Sequence, residues 1–182
     1  MNKIIFITGA PGAGKTTIGR RIAEHFPKSL HVELDILRRS IVNGLVVPSS
    51  TWTNELTQQN QLPRTAACKM AKLYSANGYD VVVDDVCVPE FFADQFTELF
   101  NHDAADSTTV YKVLLMPQPT VVNERVRQRG GPYAQMFIEH GTPWIYSYIE
   151  PMPKEGWIVI DSSNLTIEQT ATAVLQRISQ ES

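Results

Sequence analysis

Gly9-Ala10-Pro11-Gly12-Ala13-Gly14-Lys15-Thr16 follows the apolar run Ile4-Ile5-Phe6-Ile7 almost directly. The octet fits G-x-x-x-x-G-K-[ST], the P-loop, and a strand before it with a helix after it is the context that pattern requires. Glycines let the backbone turn so that successive N–H groups point inward onto phosphate oxygens. Lys15 is a point charge that can reach the β- and γ-phosphates, and the Thr16 hydroxyl is a ligand type suited to Mg²⁺. A helix starting near Gly14 turns its positive N-terminal end toward the same anion. A site for a nucleoside triphosphate, taken as ATP with the choice over GTP left open, and for Mg²⁺ is therefore expected over Gly9, Ala10, Pro11, Gly12, Ala13, Gly14, Lys15, Thr16 and Thr17. The bland alternative is a glycine-rich turn with no ligand.

Outward from this loop, strands alternate with helices. Residues 3–8 read as the first strand and 14–25 as a helix, with Ile18, Ile22 and Phe26 on one face and Pro27 ending it. A short strand near 31–33 precedes a helix over 35–42, and 44–53 reads as a loop. A long helix is expected over 54–77, weakened by Pro63 and closed by Gly78. Residues 79–83, with the apolar run Val81-Val82-Val83, read as a strand of the buried parallel kind. Helix-like sequence spans 90–101, a strand 110–116, and a helix 120–129 that Gly130-Gly131-Pro132 breaks. Residues 130–156 read as irregular, with one helix around 134–139. The last strand is 157–160, and Thr166 with Gln169 forms a capping box that opens the terminal helix. This order implies a single α/β domain over residues 1–182, with a parallel sheet covered by helices on both faces.

Composition narrows the function. Sixteen basic against 19 acidic side chains give a net charge of −3, whereas a polynucleotide partner leaves a basic footprint. No apolar run approaches the roughly 18 residues of a membrane span. The motif begins at residue 9 with no signal peptide before it, and the two cysteines suggest no disulfide framework, so a cytoplasmic protein is expected.

Three further groups carry chemistry. Asp35 follows the strand His31-Val32-Glu33-Leu34 and so lies at the carboxyl edge of the sheet, where α/β clefts form. There a carboxylate can take a proton from a hydroxyl that attacks a γ-phosphate, although Asp is also a preferred helix N-cap. Asp84-Asp85 end the run Val81-Val82-Val83, the Walker B arrangement in which a strand-end carboxylate serves Mg²⁺. Neighbouring strand residues point to opposite faces, so both remain candidates. Arg125 and Arg129 share a helix face ahead of Gly130-Gly131 and suit phosphate contact from a closing lid; the alternative is a solvated face. Trp52, Arg64, Trp144 and Tyr146 read as packing residues, with substrate contact as the alternative; His25 and His31 read as structural, and Cys87 as a buried inert thiol, with a place on the cleft as the alternative. His102 and His140 have no partner at metal-ligand spacing, so no zinc site is expected.

GAPGAGKTT, VELDILRRS, GYDVVVDDV and YKVLLMPQPTVVNERVRQRGG, in that order, resemble the small P-loop phosphotransferases. The nearest likeness is to chloramphenicol phosphotransferase-like proteins, with gluconate and shikimate kinases as cousins. It covers about residues 1–130 and resumes at WIVIDSSNLTIEQTA, which looks like the ending of shikimate-type kinases. The resemblance implies a P-loop three-layer sandwich whose five-stranded sheet has the order 2-3-1-4-5. It implies a phosphoryl-acceptor site near Asp35, a substrate segment over about 36–65 and a lid over about 125–153. It also sets Asp161, Ser162 and Ser163 against adenine. Residues 43–65 and 130–153 depart from the family pattern, and the paired substrate motifs of gluconate and shikimate kinases are absent.

The expected function is transfer of the γ-phosphoryl group of Mg·ATP to a hydroxyl of a small molecule, with Lys15, Asp35, Arg125 and Arg129 as the catalytic set. Two alternatives stand beside it. One is a nucleoside triphosphatase or switch acting with a protein partner, although Asn-Lys-x-Asp and Leu-Ser-Gly-Gly signatures are absent. The other is a 5′-hydroxyl polynucleotide kinase, which the acidic balance disfavours.

Overall fold

The computed structural model describes residues 2–46, 53–86, 96 and 108–181. Strand β1 (Lys3–Thr8) is buried on both faces and occupies the middle of a five-stranded sheet. Helix α1 (Lys15–Ala23) leads to β2 (Ser29–Glu33) and α2 (Leu34–Arg39). Helix α3 (Asn54–Ala76) runs through Pro63 without interruption and precedes β3 (Asp80–Asp84). Strand β4 (Thr109–Leu115), α4 (Pro119–Arg129), a short α5 (Ala134–Met136), a π-helical turn (Phe137–Gly141) and α6 (Thr142–Ile149) follow. Strand β5 (Trp157–Ile160) and α7 (Ile167–Glu181) complete the described chain. The sheet order is β2-β3-β1-β4-β5 and every pairing is parallel: the parallel sheet is the one the alternation of elements implies, and the order is the one the family resemblance implies.

Alternation along the strands sorts the core into layers. Ile5 and Ile7 of β1, Val82 of β3 and Tyr111 and Val113 of β4 face α1 and α7, where Ile18, Ile22, Val174 and Ile178 meet them. Ile4, Phe6, Val81 and Val83 point the other way, onto Ala67, Cys68 and Ala71 of α3. A third cluster joins Ala10 and Leu114 to Val122 and Val126 of α4 and to Ile145, Tyr146 and Ile149 of α6. The capping box at α7 is reciprocal: Gln169 N–H donates to Thr166 Oγ1 at 3.2 Å, and Thr166 N–H to Gln169 Oε1 at 2.9 Å.

Two local expectations need correction. Residues 130–156 are largely helical rather than irregular. Pro143 sits in the first turn of α6, a position that tolerates proline. Ile145, Tyr146 and Ile149 then bury the inner face of α6. Asp35 does not cap α2: the N-cap position is Glu33, and Asp35 lies inside the first turn with its side chain exposed. The helix expected over 90–101 and residues Trp52, Cys87 and His102 fall outside the described residues, except Phe96, whose ring packs 4.5 Å from that of Phe6.

Candidate active site

The carboxyl ends of β1, β2 and β3 open onto a cavity of about 410 Å³. Parallel pairing makes this convergence unavoidable. Ile7 of β1 is level with Asp84 of β3, and Asp84 is level with Glu33 of β2, so the loops that follow all leave the sheet on one side. Pro11, Gly12, Gly14, Lys15, Thr16 and Thr17 form one wall; Asp35, Asp84, Asp85, Arg125 and Arg129 also reach the cavity. Gly14 caps α1 with φ +99°, a left-handed conformation that a side chain would strain.

Lys15 is buried, and its Nζ donates to Ala10 O within the loop at 3.1 Å. Burial lowers the pKa of its ammonium group, while Asp84, Asp85 and Asp35 oppose that shift and Arg129 adds to it. Lys15 thus shares the cavity with three carboxylates, Asp35, Asp84 and Asp85, and with the Arg129 guanidinium.

The two adjacent carboxylates part company. Asp84 follows Val82 onto the α1 face, where Thr16 Oγ1 donates to its Oδ1 at 3.0 Å and His31 Nε2 lies 2.7 Å from its Oδ2. Asp85 turns to the α3 side and accepts Arg64 Nε–H at 2.6 Å. Burial pushes the Asp85 carboxyl up, and the Arg64 guanidinium opposes that rise. Arg64 and His31, read from sequence as packing and structural residues, thus both touch the acidic pair.

The arginines also divide. Arg125 donates to Ala13 O at 3.4 Å and to Ser162 O at 3.2 Å, so it ties the P-loop to the loop after β5. Arg129 lies one turn further along α4, on the cavity. Beside the P-loop a second cavity of about 230 Å³ is lined by Ala13, Thr17, Arg125, Ser162, Leu165 and Thr170. Ser162 Oγ is buried there without a hydrogen-bond partner, which leaves a donor and an acceptor available to a ligand. Asp161 is occupied otherwise: Ser163 N–H and Oγ–H donate to it and hold its carboxyl below the ordinary range.

In the segment after Asp35, Gln59 of α3 pins the backbone. Its Nε2 donates to Gly44 O at 2.8 Å, and its Oε1 accepts Val46 N–H at 2.8 Å. No sequence signal marked Gln59, because its partners lie 13 and 15 residues away in a loop.

With this geometry in place, a family described as an AAA domain matches residues 4–140. The chain belongs to this P-loop AAA-domain family. Among solved structures, shikimate kinase from Acinetobacter baumannii in complex with shikimate is similar at TM-score 0.71 and 19% identity, covering 100% of this chain and 95% of the other. A gluconokinase from Sinorhizobium meliloti 1021 is similar at TM-score 0.62 and 18% identity, over 98% and 93%. The Deinococcus radiodurans tunicamycin resistance protein is similar at TM-score 0.63 and 17% identity, over 98% and 96%. At these identities the likeness is one of fold, and it agrees with the sheet order found here. No curated protein matches the sequence. No helix among the described residues of this AAA-domain chain is long and apolar enough to cross a membrane.

Proposed function

We propose that this chain moves the γ-phosphoryl group of Mg·ATP to a hydroxyl of a small molecule. The observation that carries the reading is Asp35: an exposed carboxylate on the same cavity as Lys15 and Arg129, opposite a P-loop. An open carboxylate beside the phosphate wall can accept the proton of an incoming alcohol, and acceptor-dependent turnover separates this from activation of water.

In this mechanism the P-loop N–H groups and Lys15 hold the β- and γ-phosphates. Asp35 accepts the acceptor's hydroxyl proton while that oxygen attacks the γ-phosphorus. The bond from phosphorus to the β–γ bridging oxygen breaks, and ADP leaves with the electron pair. Arg129 meets the charge on the transferring group, which is where an arginine contributes most to this chemistry. Thr16 and Asp84 would hold Mg²⁺; they are already joined at the cavity by a 3.0 Å hydrogen bond, an all-oxygen pair suited to a hard cation. Bound there, the cation would neutralise phosphate charge. Asp85, with one oxygen held by Arg64, stands behind Asp84 in this assignment.

The nucleobase is assigned to the second cavity, where Ser162 Oγ awaits a partner. Arg125 orders the join between the two cavities. The acceptor is assigned to the side of the first cavity bounded by α2, within the substrate segment 36–65. The lid is assigned to the segment of about 125–153, hinged at Gly130-Gly131; Ala134, Phe137 and Ile138 rest on the same core cluster that α6 enters. The acidic balance favours a small acceptor over nucleic acid, and a cytoplasmic setting supplies the ATP.

ATP turnover measured with and without pooled hydroxylated metabolites, sugars and antibiotics tests the reading. Turnover that depends on an acceptor, with the phosphorylated product found by mass spectrometry, is the expected result. Turnover indifferent to every acceptor would move the chain to the nucleoside triphosphatases.

A further inference from the structure

His31 lies one layer behind the reacting groups. It projects from β2 on the α1 face, level with Val82, and its side chain is only 12% exposed. Its Nε2 is 2.7 Å from Asp84 Oδ2. A carboxylate only accepts, so the hydrogen of this bond belongs to Nε2. The other ring nitrogen lies 3.8 Å from Glu33 Oε1, beyond hydrogen-bond reach. Asp84 is thereby gripped at both oxygens, by Thr16 at Oδ1 and by His31 at Oδ2.

Helix α1 makes room for this imidazole. Gly19 stands mid-helix, where glycine costs about 1 kcal/mol relative to alanine. A Cβ at Gly19 would lie 2.8 Å from His31 Nε2 and 3.4 Å from Val82 Cγ1. The missing side chain is the space through which His31 reaches Asp84. Two features that look unrelated in sequence, a helix-weakening glycine and a strand histidine, serve one hydrogen bond.

We infer that His31 is a positioning residue for the nucleotide-bound cation, fixing the Asp84 carboxylate so that Oδ1 stays on the Thr16 side of the cavity. The inference rests on the assignment of Asp84 to Mg²⁺ made above. Without the imidazole, Asp84 rotates about its Cα–Cβ and Cβ–Cγ bonds, and the cation meets a carboxylate that must first be ordered. Groups that orient a metal's neighbours in this way typically change metal affinity by about 10–100-fold.

The test is Mn²⁺ binding to the protein·ADP complex, read by electron paramagnetic resonance, alongside ADP binding in EDTA. His31→Ala and Gly19→Ala should each weaken Mn²⁺ binding about tenfold or more and leave metal-free ADP binding unchanged. His31→Gln, which keeps an N–H donor, should recover most of the loss. Should His31→Ala fail to fold, Gly19→Ala decides, since it displaces the ring without removing it. Wild-type Mn²⁺ affinity in these variants, while Asp84→Asn binds Mn²⁺ weakly, overturns the role of His31 alone. Wild-type Mn²⁺ affinity in Asp84→Asn as well overturns the cation assignment and this inference with it.

Discussion

Arg64 Nε donates to Asp85 Oδ2 across 2.6 Å, and both side chains are at most 10% exposed. The pair links the middle of α3 to the end of β3, so a helix far along the chain sets the back of the cavity. A buried ion pair adds little net stability, but removing one partner strands the other. Arg64→Ala should therefore lower stability by up to about 3 kcal/mol in urea unfolding, the cavity's water softening the penalty. Arg64→Ala/Asp85→Asn should regain part of that loss. Strict additivity of the two substitutions would show that they are not a pair.

Lys15→Ala should leave the fold intact and remove productive triphosphate binding. The ammonium donates to Ala10 O within the loop, and its charge faces the cavity rather than the apolar core. Losing a buried charged partner of this kind costs about 2–5 kcal/mol of binding. Isothermal titration with ATP measures it, and circular dichroism checks the fold. Unchanged affinity in a folded variant would remove the P-loop from nucleotide binding.

Arg125 and Arg129 look equivalent in sequence, and their substitutions should separate. Arg125 holds two carbonyls, Ala13 O and Ser162 O, so Arg125→Ala should weaken ADP binding by loosening the junction of the two cavities. Charge-assisted bonds of this type are worth about 1.5–3 kcal/mol each. Arg129→Ala should instead lower kcat by about a thousandfold or more while ADP affinity stays near wild type, since its contribution grows only as the phosphoryl group moves. The reverse pattern would exchange the two roles.

The P-loop and the alternation of strands with helices were legible because they are written in short contiguous stretches, whereas the strand order came from the family resemblance. Strand β5 coincides with its apolar run, and β1 extends the run Ile4-Ile5-Phe6-Ile7 by one residue at each end. Asp84 and Asp85 were not separable, because Val81-Val82-Val83 is buried on both faces and shows no alternation from which to read a phase. Only the pairing with β1 and the positions of α1 and α3 assign each carboxylate a side. His31 was hidden for a related reason: its partner is 53 residues away, and no local pattern announces a bond across the sheet. Helix α6 lay in a stretch without a clear apolar period, and only its packing through Ile145, Tyr146 and Ile149 shows its inner face.

Tyr146 ties α6 to the end of β4 by donating its phenolic hydrogen to Pro117 O. Burial, with Glu150 and Asp161 adding to it and Arg125 opposing, raises its pKa from 10.0 to about 12. An acid with a raised folded pKa binds more protons folded than unfolded between those values, so stability falls as pH rises across them. The contribution is intact below pH 10 and lost by about pH 12. Tyr146→Phe should cost about 1 kcal/mol at pH 8 by leaving a buried carbonyl unpaired, and should flatten the loss of stability above pH 10. Urea midpoints at pH 8 and pH 11 test both halves; an equally steep alkaline loss in Tyr146→Phe would assign it to another group.

Asp35→Asn separates the acid's chemistry from its place in the fold. Glu33, not Asp35, holds the N-cap position of α2, and no side-chain bond caps that helix. The structural role left to Asp35 is a charge in the first turn, worth about 0.3–1 kcal/mol through the helix dipole. Asparagine keeps the shape and loses the basicity. If Asp35 takes the acceptor proton, Asp35→Asn should bind Mg·ATP as wild type, melt within a few degrees of it, and transfer phosphoryl about 10²–10⁴-fold more slowly. The loss should appear in kcat with the acceptor saturating, because the carboxylate acts on the proton in flight. A loss confined to the acceptor's KM would make Asp35 a binding contact, with the alcohol proton leaving by way of the phosphate oxygens instead. Normal transfer at all acceptor concentrations would remove Asp35 from the mechanism, and with it the observation on which the kinase reading rests.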